Sequence, residues 1–452
     1  MSEPTIAPAA TPLPDLAERR PWYSGVTGYQ WLVLAIASAG WLFDNYENQI
    51  FVVTRSSLLS ELLRQPATSP AVKYYSDSIN SVFLIGGATG GVLFGMLADR
   101  FGRARSMIGS ILVYAIFSAL TSLTTAVWQV ATLRFFVAMG TGGEWAVAAA
   151  LVAEVFPPRA RAQASGIFHA SSVIGVVGAG VAGMLTGSHW RIAYLIGLGP
   201  ALLVLAVRAW IREPRRYVEA ADAGATLESA PAEPLVAPRP TKRGFGEFWS
   251  DRVYRRRAII GLLLAAVGLA GYWCVFAAGQ DLAHAFLLRQ GVAAAEATRR
   301  AKFAYTVVQN IGGGIGLFTM GPLCALMGRR RAFVLMQIGA VVATPLACLA
   351  PTTYAQLLWL LPVMAFFVAG MHAGYAVYFP ELFPTRLRAT GCGLCFNGGR
   401  IAAAGVLILS GWLKSLPGMD LRWAVSLLAS FYLLGTVLVL FLPETRGQAL
   451  EE

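Results

Sequence analysis

Twelve apolar runs, each about long enough to cross a hydrocarbon core, occupy most of this 452-residue chain. They lie at about residues 29–54, 77–98, 107–127, 129–153, 164–186, 191–210, 258–281, 303–324, 332–350, 355–379, 391–413 and 422–442. A helix rises about 1.5 Å per residue, so about 20 apolar residues match the thickness of a bilayer. With 56% hydrophobic and 13% charged residues, the chain is too apolar for an ordinary soluble protein and reads as an all-α polytopic membrane protein. Its net charge of +12 would suit nucleic acid, but the basic residues are scattered through short loops and form no stripe. Loop topology explains them better. Placing the N-terminus in the cytosol puts 23 Lys/Arg on the cytosolic side and 10 on the other, with Arg134, Arg208 and Arg400 inside spans. Both termini are then expected in the cytoplasm.

The chain repeats itself. Glu154-Val-Phe-Pro-Pro-Arg-Ala-Arg-Ala162 returns 227 residues later as Glu381-Leu-Phe-Pro-Thr-Arg-Leu-Arg-Ala389, with six identities in nine positions. Gly95-Met-Leu-Ala-Asp-Arg-Phe-Gly-Arg103 returns 226 residues later as Gly321-Pro-Leu-Cys-Ala-Leu-Met-Gly-Arg329. Two segments sharing one offset imply two homologous halves, an arrangement that in membrane carriers places the binding site at the interface. The expected layout is a disordered cytosolic tail (1–28), a six-helix bundle (29–210), a cytosolic linker (211–257), a second six-helix bundle (258–442) and a short cytosolic tail (443–452). The linker's middle is rich in Ala, Pro and acidic residues, and no loop is long enough for a soluble catalytic domain.

Several patterns carry no chemistry. Gly178-Ala-Gly-Val-Ala-Gly183 spells a dinucleotide fingerprint, but no strand precedes it and it lies within a span. Cys392 and Cys395 have redox spacing yet sit in an apolar segment, as do the other three cysteines. The few histidines and dispersed cysteines offer no metal cluster, no cofactor motif is present, and no nucleophile has its base nearby.

Gly95 to Arg103, with Asp99, Gly102 and Arg103, closely resembles the signature loop between helices 2 and 3 of the major facilitator superfamily. Arg134 with Gly140, Gly142, Gly143 and Glu144 resembles the fourth-helix motif of its sugar-transporter-like and metabolite–proton symporter branches, and Pro380 to Arg388 and Pro443-Glu-Thr-Arg446 resemble later segments of the same branches. The resemblance covers residues 29–447 and implies two pseudo-symmetric bundles alternating around a central cavity, in a monomer. It also implies that a network of Asp99, Arg103, Glu154 and Arg159 or Arg161, repeated around Glu381, Arg386 and Arg388, latches the outward-facing state. The second signature loop has Ala325 in place of Asp99, which would confine the loop's carboxylate to the first half.

Ionisable groups at membrane depth mark solute or proton pathways. Asp44 and Glu47 lie three residues apart, on one helical face. They match the acidic pair of helix 1 in metabolite–proton symporters, which implies Glu47 as coupling acid, Asp44 assisting and Arg134 as counter-charge. A static buried ion pair is the alternative. Arg400 suits an anionic substrate, because a guanidinium forks onto carboxylates and keeps its proton; the alternative is snorkelling to the cytosolic edge. Glu144 stands about 15 Å of helical rise from Arg134, too far to pair, and would favour a cation if it lined the cavity. Trp145, Tyr272, Trp273, Tyr305, Gln309, Asn310, His372, Tyr375, Tyr378 and Asn397 are candidate cavity residues, while His169 is placed at the cytosolic interface.

The expected function is secondary transport of a small organic solute, an organic anion or carboxylate, by proton symport in a bacterial inner membrane. The rivals are a carrier of organic cations or neutral sugars using Glu144 and Asp44, and a non-transporting receptor on the same fold.

Overall fold

The computed structural model describes residues 21–66, 69–186, 189–200, 202, 207, 210–211, 245–276, 278–415 and 418–451. Most of the expected N-terminal tail and linker, and Arg208, lie outside them. The first half comprises α1 (Gly28–Leu63), α2 (Pro70–Phe101), α3 (Arg103–Thr121), α4 (Val127–Val155), α5 (Pro158–Ala170), α6 (Ser172–Thr186) and α7 (Trp190–Ile196). After a short helix α8 (Phe245–Ser250), the second half comprises α9 (Arg252–Gly271), α10 (Gly279–Arg289), α11 (Ala294–Phe303), α12 (Asn310–Met327), α13 (Arg329–Leu349), α14 (Tyr354–Tyr378), α15 (Arg388–Ser415), α16 (Leu421–Ala429) and α17 (Phe431–Leu440). π-helical turns at Tyr272–Phe276 and Ala304–Gln309 follow α9 and precede α12. No strand occurs among the described residues.

Nine helical stretches among the described residues are long and apolar enough to cross a membrane. The spans expected at 29–54 and 391–413 lie within α1 and α15, and the one at 191–210 is only partly described. Several helices outrun their apolar segments: α1 continues to Leu63, and the seventh and eighth crossings occupy Arg252–Arg289 and Ala294–Met327. Polar turns outside the apolar run extend a helix at little cost, since Glu, Arg, Lys and Ala are good helix formers.

The boundaries have local causes. Thr27 and Thr353 begin α1 and α14 with capping boxes closed by Gln30 and Gln356. Ser69 caps α2 ahead of Pro70, and Asp251 caps α9. Gly102 and Gly328 join α2 to α3 and α12 to α13 at φ 105° and 91°, a conformation that disfavours any side chain. They are the same position in the two repeats.

Small residues let the helices approach closely. A Cβ on Gly90 would overlap the Met139 carbonyl, and one on Gly142 the Gly87 carbonyl, so α2 and α4 touch backbone to backbone. Gly312 and Gly316 do the same for α12 against Pro362 and Phe366 of α14. Between the halves, Gly95 meets Ala389 and Thr390, Gly91 meets Gly393, and Gly166 meets Gly321. The halves thus close on the side carrying the signature loops and the chain's C-terminal end, here the tail side.

Candidate functional site

At the tail side the two repeated Glu-x-Phe-Pro segments lie across from each other. Arg103 reaches Glu154 of its own half at 2.9 Å and Asp99 at 2.8 Å, and donates to the Thr385 carbonyl of the other half at 2.6 Å. Arg388 crosses to Glu154 at 2.7 Å, and Arg161 crosses the other way to Glu381 at 3.7 Å. Glu381 also pairs with Arg329 of its own half at 2.7 Å. Each glutamate therefore takes one arginine from its own bundle and one from the opposite bundle. Asp99 adds a cap in trans: its carboxylate accepts from the Ala389 and Thr390 N–H groups and the Thr390 hydroxyl at the start of α15. Arg159 and Arg386 are exposed beside this network, Arg386 next to Tyr254. Of the two, Arg161 is the buried one, donating to the Ala153 carbonyl and crossing to Glu381.

Deeper in, three acidic and basic groups meet midway between the halves. Asp44 of α1 and Glu144 of α4 are side by side, with the Tyr114 hydroxyl of α3 next to Glu144. Arg400 of α15 lies against Gly87 of α2, over the Phe396 ring at 5.4 Å and within electrostatic reach of Asp44. It makes no hydrogen bond to another described residue. Asn397, one turn away, donates to the Gly142 carbonyl at 3.0 Å. Trp145 stacks on Phe396 at 4.0 Å and donates its indole N–H to Nδ1 of His169 at 3.2 Å. His169 is buried between Trp41, Trp145 and Phe396, not at the interface where its position in the sequence put it. The reason is the helix start. α5 begins at Pro158 and not near residue 164, so His169 sits about 16 Å along it.

Glu47 belongs to a separate pocket inside the first bundle. Its carboxylate accepts from Ser118 at 2.6 Å and abuts Gly197. Arg134 does not bind that carboxylate; it donates to the Glu47 backbone carbonyl at 2.7 Å and lies over the Phe83 and Phe51 rings at 4.1 and 5.1 Å. The counter-charge expectation therefore holds only as a through-space interaction. Asp44 and Glu47 share a helix face yet reach different partners. Glu144 and Arg134 are unpaired with each other, as their spacing requires.

The second bundle supplies the remaining wall. Tyr272 stacks on Phe276 at 4.7 Å and meets His372 edge-on at 5.2 Å. Gln309 donates to the Phe276 carbonyl at 2.7 Å, bridging the two π-helical turns, and Asn310 donates to Tyr305 at 2.8 Å. Tyr375 packs against His372 and Phe396 and donates to the Leu264 carbonyl. Two candidates leave the site. Trp273 is 38% exposed on the outer face, and Tyr378 donates to the Pro443 carbonyl, tying down the C-terminal segment.

The model of the Major Facilitator Superfamily matches residues 48–278 and 301–451. The chain belongs to that superfamily. Similar proteins include a putative metabolite transport protein of Haemophilus influenzae, 28% identical and covering 94% of this chain and 99% of that one. A probable 4-methylmuconolactone transporter of Cupriavidus pinatubonensis is also 28% identical, covering 95% and 94%. The cis,cis-muconate transport protein of Acinetobacter baylyi is 27% identical over 81% and 85%. Among solved structures, the proton:xylose symporter XylE bound to 6-bromo-6-deoxy-D-glucose matches with a TM-score of 0.72 at 17% identity, covering 94% of this chain and 98% of that one. This major facilitator protein is thus a multi-pass membrane transporter and not an enzyme.

Within it, sequence reasoning missed Tyr114, Ser118, Thr385, Thr390 and the C-terminal Glu444 and Glu451. Glu444 caps the N–H groups of Arg329 and Arg330, and the Glu451 carbonyl accepts from Thr385 and Arg388. Hydroxyls and backbone groups carry no charge pattern. Only the Pro-Glu-Thr-Arg motif around Glu444 left a signal.

Proposed function

We propose that this carrier moves a small organic acid, as its carboxylate, together with protons, by alternating access in a bacterial inner membrane with both chain ends in the cytosol. The observation that carries the reading is Arg400, a guanidinium set against the Asp44–Glu144 pair with no hydrogen-bond partner among the described residues. A guanidinium keeps its charge and offers a planar fork to a carboxylate. Two carboxyls in contact away from water repel when both are ionised, so the pair holds one proton and one negative charge. Arg400 balances that charge when the site is empty. An arriving carboxylate claims Arg400, Asp44 loses its counter-ion, and a second proton neutralises the pair. Site charge is conserved only when each carboxylate brings one proton. Glu47, beside Arg134, serves as the second proton site of the same relay.

The relatives support an acid as cargo, since they include proteins named as transporters of muconate, niacin and gentisate. The closed tail side corresponds in this reading to the outward-facing state. The layout of bundles at 29–210 and 258–442 around a cytosolic linker belongs to the same proposal, as does a monomer.

Reconstitution in liposomes with an alkaline interior tests it. The wild type should accumulate cis,cis-muconate or nicotinate, Arg400→Ala should bind neither, and Asp44→Asn should retain counterflow while losing accumulation driven by the pH gradient. Uptake of organic cations that disappears in Glu144→Gln would replace this reading by its rival.

A further inference from the structure

Two buried histidines, one from each half, gather around Phe396, over whose ring Arg400 lies: His169 meets that ring at 6.1 Å, and His372 reaches it through Tyr375 at 5.6 and 5.9 Å. His169 lies within electrostatic reach of both His372 and Arg400. Their hydrogen bonds fix opposite tautomers. An indole N–H can only donate, so Nδ1 of His169, which receives Trp145, is a lone pair and the ring proton sits on Nε2. A backbone carbonyl can only accept, so Nδ1 of His372, which faces the Ala369 carbonyl at 3.1 Å, carries the proton and leaves Nε2 as a lone pair. That Nε2 is buried and has no hydrogen-bond partner among the described residues. His372 as a whole is 8% exposed, beside Tyr272 and Tyr375.

We infer that His372 is a specificity residue that accepts a hydrogen bond from a hydroxyl or N–H group on the transported acid, while His169, with Arg400, donates to its carboxylate. The inference rests on the carboxylate reading above and extends it to the class of acids bearing a separate hydrogen-bond donor. The chemistry is complementary at both ends. Arg400 and the His169 Nε2–H are donors and suit the acceptor-only carboxylate. The His372 Nε2 is an acceptor and suits nothing on a carboxylate, but it does suit a hydroxyl. An orphaned buried acceptor is costly, and a site that satisfies it with ligand binds acids that lack the donor, muconate and nicotinate among them, more weakly. The aromatic walls do not substitute for that donor. Tyr375 already spends its hydroxyl on Leu264, and Trp145 its N–H on His169.

The test is direct binding to the purified full-length protein, using matched acids that differ by one hydroxyl: 4-hydroxybenzoate against benzoate, and lactate against propionate. The wild type should bind the hydroxylated member of at least one pair about tenfold or more tightly. His372→Phe should reduce that ratio towards one while leaving affinity for the plain acid in place, and His372→Gln, which keeps an acceptor near Nε2, should restore part of it. Equal wild-type affinity within both pairs overturns the inference whether or not the Phe variant folds. So does a ratio unchanged in a folded His372→Phe. If the wild type binds none of these acids and neither cis,cis-muconate nor nicotinate, the carboxylate reading fails and this inference with it; if it binds acids without regard to the hydroxyl, or only muconate or nicotinate, only this inference fails.

Discussion

Replacing Glu154 by Gln should open the tail side. Glu154 is buried and takes charge-assisted hydrogen bonds from Arg103 at 2.9 Å and from Arg388 at 2.7 Å. Only the second crosses between bundles, so only the second is lost when the halves separate. The Arg103 bond travels with the first bundle and biases neither state. A hydrogen bond to a charged group contributes about 1.5–3 kcal/mol, which corresponds to a shift of about 10- to 150-fold in the closed-to-open ratio. The remaining crossings, among them Arg103 to Thr385, Arg161 to Glu381 and Asp99 to α15, hold part of the latch, so the shift should be partial. Spin labels at the exposed tail-side positions Arg105 and Arg331, one on each half, report the opening as a longer distance in double electron–electron resonance. A folded Glu154→Gln whose distance distribution matches the parent's would refute the assignment of the Glu154–Arg388 bond to the latch.

Gly90→Ala should lower the melting temperature, because its Cβ would overlap a backbone carbonyl that cannot yield without moving α4; about 1–3 kcal/mol is the usual cost of such overpacking. Gly180→Ala, with open space around it, should be neutral or slightly stabilising in the same assay. Glu61→Gln at the far end of α1 should cost less than about 1 kcal/mol, since its bond to Arg191 is half exposed. That bond and the Trp190 N–H hold the Glu61 carboxyl below its ordinary range, so its contribution is present above the ordinary glutamate pKa and lost as pH falls through the lowered one. A melting-temperature difference between wild type and Glu61→Gln that persists in strong acid would contradict this.

The spans, the internal repeat and the charged residues that pair at the tail side are legible because each leaves a charge or hydropathy pattern in the chain. Rotation about a helix does not. Trp273 and Tyr272 are adjacent in a π-helical turn, and nothing in the sequence says which faces lipid. Glu144 could be read as unpaired with Arg134 from spacing alone, but its true neighbour Asp44 comes from another helix, and the contact depends on Gly40, whose missing side chain leaves room for the Glu144 carboxyl. His169 is misplaced through one boundary: the apolar run starts at about residue 164, but the helix starts at Pro158. The tautomers of His169 and His372 depend on tertiary partners and have no sequence signature at all.

The repeat also predicts where the latch is weak. Under the 226- to 227-residue offset, Arg103 corresponds to Arg329, Glu154 to Glu381 and Arg161 to Arg388, so the crossed pairs Glu154–Arg388 and Glu381–Arg161 are the same contact made twice. They differ in length, 2.7 against 3.7 Å. Two differences lie beside these pairs: Ala325 stands in place of Asp99, and Glu381 also accepts from the Thr445 hydroxyl at 2.6 Å. In the first half Asp99 binds the N-terminal N–H groups of α15 at Ala389 and Thr390, drawing that helix and Arg388 onto Glu154. Their counterparts are Ala162 and Gln163 of α5, and Gly321 already approaches them as Gly95 approaches Ala389 and Thr390. The carboxylate is missing, and so are free N–H groups, because Ala162 and Gln163 lie in the second turn of α5, which begins at Pro158. Ala325→Asp should therefore add no cap, but should pair with Arg329 four residues on as Asp99 pairs with Arg103 and face the positive end of α5, about 0.3–1 kcal/mol that shifts the closed-to-open ratio about two- to fivefold towards closed. The Arg105–Arg331 distance distribution should then narrow and shorten, and turnover should slow because the latch must break in every cycle. An Ala325→Asp protein that opens as readily as the wild type would mean that a carboxylate at this position adds nothing to the latch.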